Sequence, residues 1–347
     1  MHAVTTVLLA FTAIVQAQPH GVRVTDSTPH ALSITSSAVP SACVNVSDWL
    51  TRGAPILFLL LWSGGYTVAK IGVSDADPLT LLSIRYAAVL VLLGPVWLFL
   101  RPPLPASPRA WFDLALVGFL IQVVYFGCAW TAMHTGSSAG TVALITSLHP
   151  ILVALIIPMI SAERVSARRW LGLVLGFAGA ALVLGGNLGV QPLALSGVVL
   201  SCFALIAFTT STLWEKRHGV AYHPLTSNLV QYLVGLGCTL PLAALLEPMQ
   251  VTWTHSLGWA LAYLVIGNSI LAISLLLMMI RNGEATRVSA LFFLVPPVSA
   301  LIAWLLIDEA MTPLAWFGMA IAASGVWLAT RQAAPRVPSA TRQEQNT

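Results

Sequence analysis

From residue 53 onward the chain is a series of apolar runs, each 18 to 23 residues long. A helix needs about 20 apolar residues to cross the ~30 Å core of a bilayer, whereas barrel strands alternate apolar and polar residues. The runs therefore predict an all-α polytopic membrane protein with ten transmembrane helices. The predicted spans are residues 53–73, 79–100, 112–132, 139–160, 168–186, 193–213, 225–246, 257–279, 285–306 and 313–330.

Charged residues are too scarce for a water-soluble fold. They make up 8% of the 347 residues, against about 25% in soluble domains. The net charge of +4 does not indicate nucleic-acid binding, because the basic residues stand singly between apolar runs. We expect a lipid bilayer and a small-molecule substrate as partners, with a homodimer left open. The four cysteines form no CxxC motif and no Cys/His cluster, so no metal or cofactor is expected.

Basic residues also predict the orientation of the chain in the membrane. Thirteen Arg and Lys residues fall in or beside loops on one side, and none falls in a loop on the other: Arg52, Arg101, Arg109, Arg164, Arg168, Arg169, Lys216, Arg217, Arg281, Arg287, Arg331, Arg336 and Arg342. Because short cytoplasmic loops carry the excess of Lys and Arg, both termini are predicted to be cytoplasmic and the protein to lie in the plasma (inner) membrane.

The first fifty residues differ from the rest. Residues 4–15 are apolar and are followed by a stretch rich in Ser, Thr and Pro. Residues 1–50 are either a cleavable signal or an N-terminal extension, disordered or mis-started, with no structural role. We favour the extension, because cleavage would place the next segment outside, against the charge pattern. Residues 332–347 are predicted to form a polar cytoplasmic tail.

The chain repeats itself at an offset of 146 residues. The matching pairs include Lys70 and Lys216, Pro78 and Pro224, Tyr86 and Tyr232, Pro95 and Pro241, Pro150 and Pro296, Glu163 and Glu309, Gly172 and Gly318, and Gly179 and Gly325. The repeat divides the chain into two five-helix units, residues 51–190 and 191–331. Five is an odd number, so the second unit is predicted to be inverted relative to the first. Inverted-topology repeats are typical of secondary transporters with a substrate site near the membrane midplane.

These residues resemble the drug/metabolite transporter superfamily, in its EamA-type ten-helix branch. The resemblance is carried by LLWSGGYTVAKIGVSDADPLTLLSIRYAAVLVL, by SSAGTVALITSLHPILVALIIPMISAERVSARRWLGLVLGFAGAALVL and by ATRVSALFFLVPPVSALIAWLLIDEAMTPLAWFGMAIAASGVWL. Lys70, Pro78 and Arg85 match the family pattern in helices 1 and 2. The chain lacks the Gly that commonly precedes Glu163 and Glu309 in the family.

The resemblance implies an exporter of small metabolites, amino-acid-like compounds or drugs. The alternatives are a nucleotide-sugar-type or other anion exchanger of the same superfamily, or a non-transporting membrane sensor or partner protein. The spans contain no HExxH, GxSxG or acidic pair, so we expect no enzyme and no catalytic residue.

Polar side chains inside the spans are candidates for substrate binding, because each costs free energy to insert. Gln122 and Asn268 are repeat mates at the middle of helices 3 and 8 and could offer amide donors and acceptors. Interhelical hydrogen bonding is the structural alternative. Arg85 lies six residues into helix 2 and could meet a partner or an anionic substrate group, whereas Lys70, near a helix end, is expected to snorkel outward.

A second group of candidates surrounds Pro150 in helix 4. Proline removes one helical hydrogen bond, so Thr146, Ser147 and His149 could line a cavity at a kink. A packed histidine is the alternative. Tyr66 and Tyr125 lie too deep to serve only as interface anchors and could form a substrate wall with Trp62 and Trp130, or could be packing residues.

Other positions that match between the repeats are predicted to be structural. Glu163 and Glu309 precede helix N-caps at Ser166 and Thr312, and small residues allow close helix approach. The structural residues are Glu163, Glu309, Pro150, Pro296, Gly172 and Gly318. Every Asp and Glu lies in a loop or at a span end. Any proton coupling is therefore expected to use His149.

Overall fold

The structure is a computed structural model that describes residues 46–137, 139–160, 166–187, 195–218, 223–279, 291–307 and 312–330. Glu163, Glu309 and the predicted extension and tail lie wholly or mostly outside these residues. In the described part the secondary structure is helical, apart from one antiparallel bridge between Ala76 and Val251.

The helices of the first half begin with α1, Val46–Asp75, and α2, Pro78–Leu100. Helix α3 consists of Pro108–Gly118, a π-helical segment Phe119–Tyr125 and Phe126–His134. Helix α4 is interrupted, with parts Ala139–Thr146 and His149–Ile160, and α5 is Ala167–Asn187.

The second half follows the same plan. Helix α6 is Leu195–His218 and α7 is Pro224–Leu246. Helix α8 consists of His255–Ala262, a π-helical segment Tyr263–Ala272 and Ile273–Met279. A 3₁₀ turn, Phe292–Leu294, leads into α9, Val295–Ile307, and α10 is Pro313–Thr330. The first part of the predicted ninth span lies outside the described residues.

Seven helices in the described part are long and apolar enough to cross a membrane, and Pro313–Ala329 is a shorter apolar helix. This agrees with the prediction of an all-helical polytopic membrane protein. Apolar side chains such as Phe99, Met159 and Trp259 are exposed on the outside of the bundle, where lipid would be the solvent.

Proline and hydroxyl side chains start several helices. Proline stands in the first turn of α2, α3 and α7, where its missing N–H needs no partner. Ser107 Oγ accepts from Ala110 N at 3.2 Å at the start of α3. The predicted caps at Ser166 and Thr312 accept from Arg169 N at 3.3 Å and Ala315 N at 3.2 Å.

Helix packing is reciprocal between the halves. Helix α1 packs against α8 and α9 of the second half, while α6 packs against α3 and α4 of the first. Helix α2 packs against α7, its repeat mate, and α5 packs against α10. Tyr86 and Tyr232 are repeat mates, and their ring centroids lie 5.6 Å apart at the α2–α7 contact. Exchanging the halves therefore reproduces these particular helix contacts.

Helices α5 and α10 approach each other backbone to backbone. A Cβ atom at Gly172 would meet the backbone of Gly325 and Ala329, and one at Gly179 would meet the backbone of Gly318 and Ala322. Glycine is needed at these positions because a larger residue would push the helices apart. The spacing of small residues in the sequence suits this approach.

At one end of the bundle, residues 75–77 pair with residues 247–254, and we call these segments the loop pair. Thr252 N donates to Asp75 O at 2.8 Å, and Asp77 N donates to Gln250 O at 3.2 Å. Asp77 Oδ2 accepts from Gln250 N at 2.9 Å. The loop pair thus joins the α1–α2 connection to the α7–α8 connection.

Candidate functional site

A small cavity lies between α1, α3 and α8, so both halves contribute to its walls. Its volume is about 300 Å³. Its walls are Trp62, Gly65, Tyr66, Tyr125, Phe126, Ala129, Trp130, Leu264 and Asn268. Mostly aromatic walls with a few polar groups are typical of small-molecule sites.

Hydroxyl groups form one polar edge of this cavity. The Tyr66 hydroxyl lies 2.8 Å from the Tyr125 hydroxyl and 2.9 Å from Thr146 Oγ1. Thr146 Oγ1 also donates toward Val142 O at 2.9 Å. The hydroxyls thus connect α1, α3 and α4, which brings three of the predicted site residues together.

Asn268 and Arg85 form the other polar edge. Arg85 Nη2 donates to Asn268 Oδ1 at 2.8 Å, and Arg85 Nε donates to Ser269 Oγ at 2.6 Å. The side chain of Arg85 is fully buried. An arginine inside a transmembrane helix costs about 2.5–3.5 kcal/mol on insertion scales, and a hydrogen bond to a charged group stabilises by roughly 1.5–3 kcal/mol, so these two bonds offset much of that cost.

The two amides predicted as a symmetric pair stand in different surroundings. Asn268 lines the cavity, and a Cβ atom on Gly65 would lie 2.5 Å from its Nδ2 atom. Gln122 does not line the cavity. It packs at Gly235 of α7, and neither polar atom of its buried side chain has a hydrogen-bond partner among the described residues. Gln231, the repeat mate of Arg85, is likewise buried without such a partner.

The π-helical segments of α3 and α8 occupy matching places in the two repeats. One contains Gln122 and the other contains Asn268. In α8, Ser269 Oγ donates to Leu264 O, five residues earlier, at 2.8 Å. Short π-helical segments inside α-helices are frequent at functional sites, because they re-aim side chains relative to a regular helix.

Helix α4 is broken where the sequence predicts a kink. It stops after Thr146 and resumes at His149, with Pro150 in the new first turn. His149 Nδ1 lies 3.2 Å from Thr209 Oγ1. The centroid of its ring lies 4.5 Å from that of Phe208 and 5.5 Å from that of Phe292. Ser147 Oγ donates to Leu144 O at 2.6 Å. His149 and Ser147 are buried, and neither lines the cavity.

Aromatic rings extend from the cavity wall into the core. Trp62 lies 6.3 Å from Tyr125, 6.0 Å from Phe208 and 5.6 Å from Phe292, measured between ring centroids. Phe208 is the repeat mate of Trp62, so α1 and α6 meet through equivalent positions. Trp62 and Tyr125 thus serve both as cavity wall and as packing residues.

Lys70 binds the end of α3. Its Nζ donates to Met133 O at 2.6 Å and to Ser137 O at 3.2 Å. Carbonyl groups at a helix C-terminus have no helical partner and attract a cation. The expectation that Lys70 only snorkels outward therefore omits this contact.

Sequence reasoning did not find several contributors to the site. Ser269 holds Arg85, Gly65 makes room for Asn268, and Phe126 and Leu264 form walls. Ser269 directly follows Asn268, so a polar pair in an apolar span was an available signal. Gly65 and the π-helical segments carry no local signal, because close approach and the longer hydrogen-bonded ring depend on the packing of the neighbouring helices.

Apolar helices of membrane-crossing length around a buried, partly polar cavity define a polytopic membrane protein with an internal chamber. A sequence model of the EamA-like transporter family matches twice, over residues 53–185 and 195–331. The chain belongs to this family, and with it to the drug/metabolite transporter superfamily, which confirms the resemblance noted from the sequence.

Two relatives, matched over 90% and 92% of their own length, carry transporter names. The chain is 26% identical over 285 residues to the "uncharacterized inner membrane transporter YedA" of Escherichia coli K12, covering 80% of this chain and 90% of that protein. It is 24% identical over 285 residues to a "probable amino-acid metabolite efflux pump" of the same organism, covering 79% and 92%.

A solved structure shares the fold. A crystal structure of a protein that is 18% identical superposes with a TM-score of 0.67 and covers 80% of this chain and 96% of the other. At this identity the likeness concerns the fold alone.

Proposed function

We propose that the protein is a secondary transporter of the inner membrane that exports small metabolites, amino-acid-like compounds or drugs. Family membership supports transport, and the names of two relatives, an inner membrane transporter and a probable efflux pump, support an inner-membrane location and export. The observation that carries the proposal is the cavity, because its walls come from α1 and α3 of one half and α8 of the other.

The proposed architecture is two inverted five-helix units, residues 51–190 and 191–331. Reciprocal packing of α1 with α8 and α9, and of α6 with α3 and α4, supports a two-fold relation between the units. With five spans in each unit, that axis lies in the plane of the membrane. The distribution of Arg and Lys supports cytoplasmic termini, so the loop pair would face outward.

Alternating access follows from this arrangement. Helices α2 and α7 meet at Tyr86 and Tyr232, close to the proposed two-fold axis. Rocking of one unit against the other about this contact would open the cavity to one side of the membrane and close it to the other. The loop pair would close the outer face in the conformation described here.

A nucleotide-sugar carrier is less well supported. Recognition of a diphosphate favours several cations or bidentate arginines. Among the described residues near the cavity, Arg85 alone supplies a guanidinium against its walls. An anion exchanger for small substrates stays compatible with that group.

Transport by the purified protein in proteoliposomes tests the proposal. A panel of labelled amino acids, organic acids and amines should identify compounds that accumulate in vesicles with protein and not in empty vesicles. Gly65→Val should abolish this uptake, because even its Cβ would meet the Asn268 amide. Gly94→Val is the matched control, since a Cβ at Gly94 meets nothing within 4 Å.

The proposal fails if no panel compound is transported by protein that is folded and monodisperse. Equal uptake by Gly65→Val and wild type would show that transport does not use this cavity.

A further inference from the structure

Arg85 is a buried cation with unused hydrogen-bonding capacity. Its Nε and Nη2 atoms donate to Ser269 Oγ and Asn268 Oδ1, which are both neutral acceptors. Its Nη1 atom is buried and has no hydrogen-bond partner among the described residues. Because a guanidinium has five N–H donors and no acceptor, part of its capacity is left for another group.

No carboxylate in the described residues stands beside this charge. The buried acidic side chains there are Asp113 and Glu215. Asp113 pairs with Arg109 at 3.2 Å, and it precedes Phe126 by 13 residues, which is about 20 Å along α3. Glu215 lies in the last turn of α6, next to Lys216. Neither acid serves as a counter-ion for Arg85.

The guanidinium stands directly behind one wall of the cavity. Its Cζ atom lies 4.5 Å from the Phe126 ring centroid and 5.3 Å from that of Trp130. Both rings line the cavity, as does Asn268. The positive charge therefore acts on the cavity through a thin layer of aromatic side chains.

Arg85 also sets the orientation of the Asn268 amide. Only the amide oxygen can accept from a guanidinium, so Nδ2 must point the other way, toward α1. There it lies 3.5 Å from Leu61 O, a long contact that leaves donor capacity at the cavity wall. The same edge of the cavity thus combines a positive potential with an amide N–H donor.

We infer, on the basis of the proposed transport function, that the cavity selects substrates bearing a single carboxylate on an apolar or aromatic body. Arg85 supplies the charge that attracts the carboxylate and positions Asn268. Asn268 Nδ2 donates to the carboxylate, and the rings of Trp62, Phe126 and Trp130 pack against the body. Bound substrate then provides the negative charge that the described residues do not supply.

Three probes of one shape separate charge from size. They are 3-phenylpropanoate, the neutral 3-phenylpropanamide and the cationic 3-phenylpropylamine, each titrated against purified full-length protein by calorimetry, with thermal unfolding in parallel. We expect the carboxylate to bind about tenfold more tightly than the amide, the ratio typical of a charge-assisted over a neutral contact. The amine should bind most weakly.

Two variants test the role of Arg85. Arg85→Gln should reduce the carboxylate-to-amide ratio to about one while amide binding persists, a change that a purely structural role would not produce. Asn268→Asp places a carboxylate at the atom that now accepts from Arg85, so it should cancel the charge, remove the carboxylate preference and raise affinity for the amine. Arg109→Gln is the control, because Arg109 is exposed and paired with Asp113, and it should keep the wild-type ratio.

The inference is overturned if the carboxylate neither binds nor shifts unfolding of the wild type, if the amine binds best, or if Asn268→Asp keeps the wild-type order of affinities. Failure of the transport proposal looks different. Arg85-dependent carboxylate binding without uptake into vesicles would refute transport alone, whereas uptake with no Arg85-dependent charge preference would refute this inference alone.

Discussion

Replacing Gly179 by alanine should destabilise the protein through the α5–α10 contact. A Cβ at this position would lie 2.6 Å from Gly318 O and 2.7 Å from Ala322 Cα, whereas carbon atoms normally pack at about 3.5–4.0 Å. The obstructing atoms are backbone and cannot rotate away, so the helices must separate by about 1 Å. A gap of that size forfeits about a quarter to a half of the contact energy of the atoms involved.

The expected cost is about 2–3 kcal/mol, the upper part of the range for overpacking. The upper part applies because Gly172 and Gly325 make similar contacts further along the same pair of helices. Gly185→Ala in the same helix is the matched control, since a Cβ there meets nothing within 4 Å. That change should be neutral or stabilise the helix by up to about 1 kcal/mol.

Thermal unfolding of both variants in one detergent, at one scan rate, measures the difference. Gly179→Ala should lower the apparent midpoint by about 5 °C, and Gly185→Ala should leave it unchanged or raise it. Equal shifts in the two variants would refute the reasoning, because they would show that backbone contact between α5 and α10 does not determine the cost.

Three further predictions concern the site and the loop pair. Tyr66→Phe removes contacts to Tyr125 and Thr146, so it should cost about 1 kcal/mol in chemical denaturation, at roughly 0.6 kcal/mol for each interhelical hydrogen bond, and weaken substrate binding in calorimetry. Glu247→Gln removes a carboxylate that accepts from Leu79 N and Thr80 N at 2.9 Å. Loss of such a helix cap costs about 1.4 kcal/mol, so the hydrogen-exchange rate of the amides at the start of α2 should rise about tenfold. His149→Gln should remove the response of vesicle uptake to an imposed pH gradient, if transport is proton-driven, because the described spans hold no carboxylate at the cavity.

Each has an outcome that contradicts it. Unchanged stability and binding in Tyr66→Phe would mean that the hydroxyl contacts are replaced by water. Unchanged exchange in Glu247→Gln would mean that the loop pair does not cap α2, with exchange in α5 as the internal reference. Gradient-driven uptake that persists in His149→Gln would exclude His149 from proton coupling.

The sequence was most informative where a residue acts through its own backbone. Pro78 and Pro224 start helices at matching places, and Pro150 coincides with the break in α4. Candidate residues were found because polar groups are rare in apolar spans. Their grouping was not predictable, because it depends on helix rotation: Asn268 lines the cavity, whereas Gln122, its equivalent by repeat, packs at Gly235.

The difference between Arg85 and its repeat mate Gln231 has a consequence for the orientation of a bound substrate during transport. A two-fold frame built from identical halves would offer a bound molecule two equivalent poses, related by exchange of the halves. Among the described residues, Arg85 in one half is a guanidinium and Gln231 in the other is an amide, so under the proposed carboxylate selectivity one end of the chamber would attract an anion. A molecule with one charged end would then keep a single orientation relative to the two halves from entry to release.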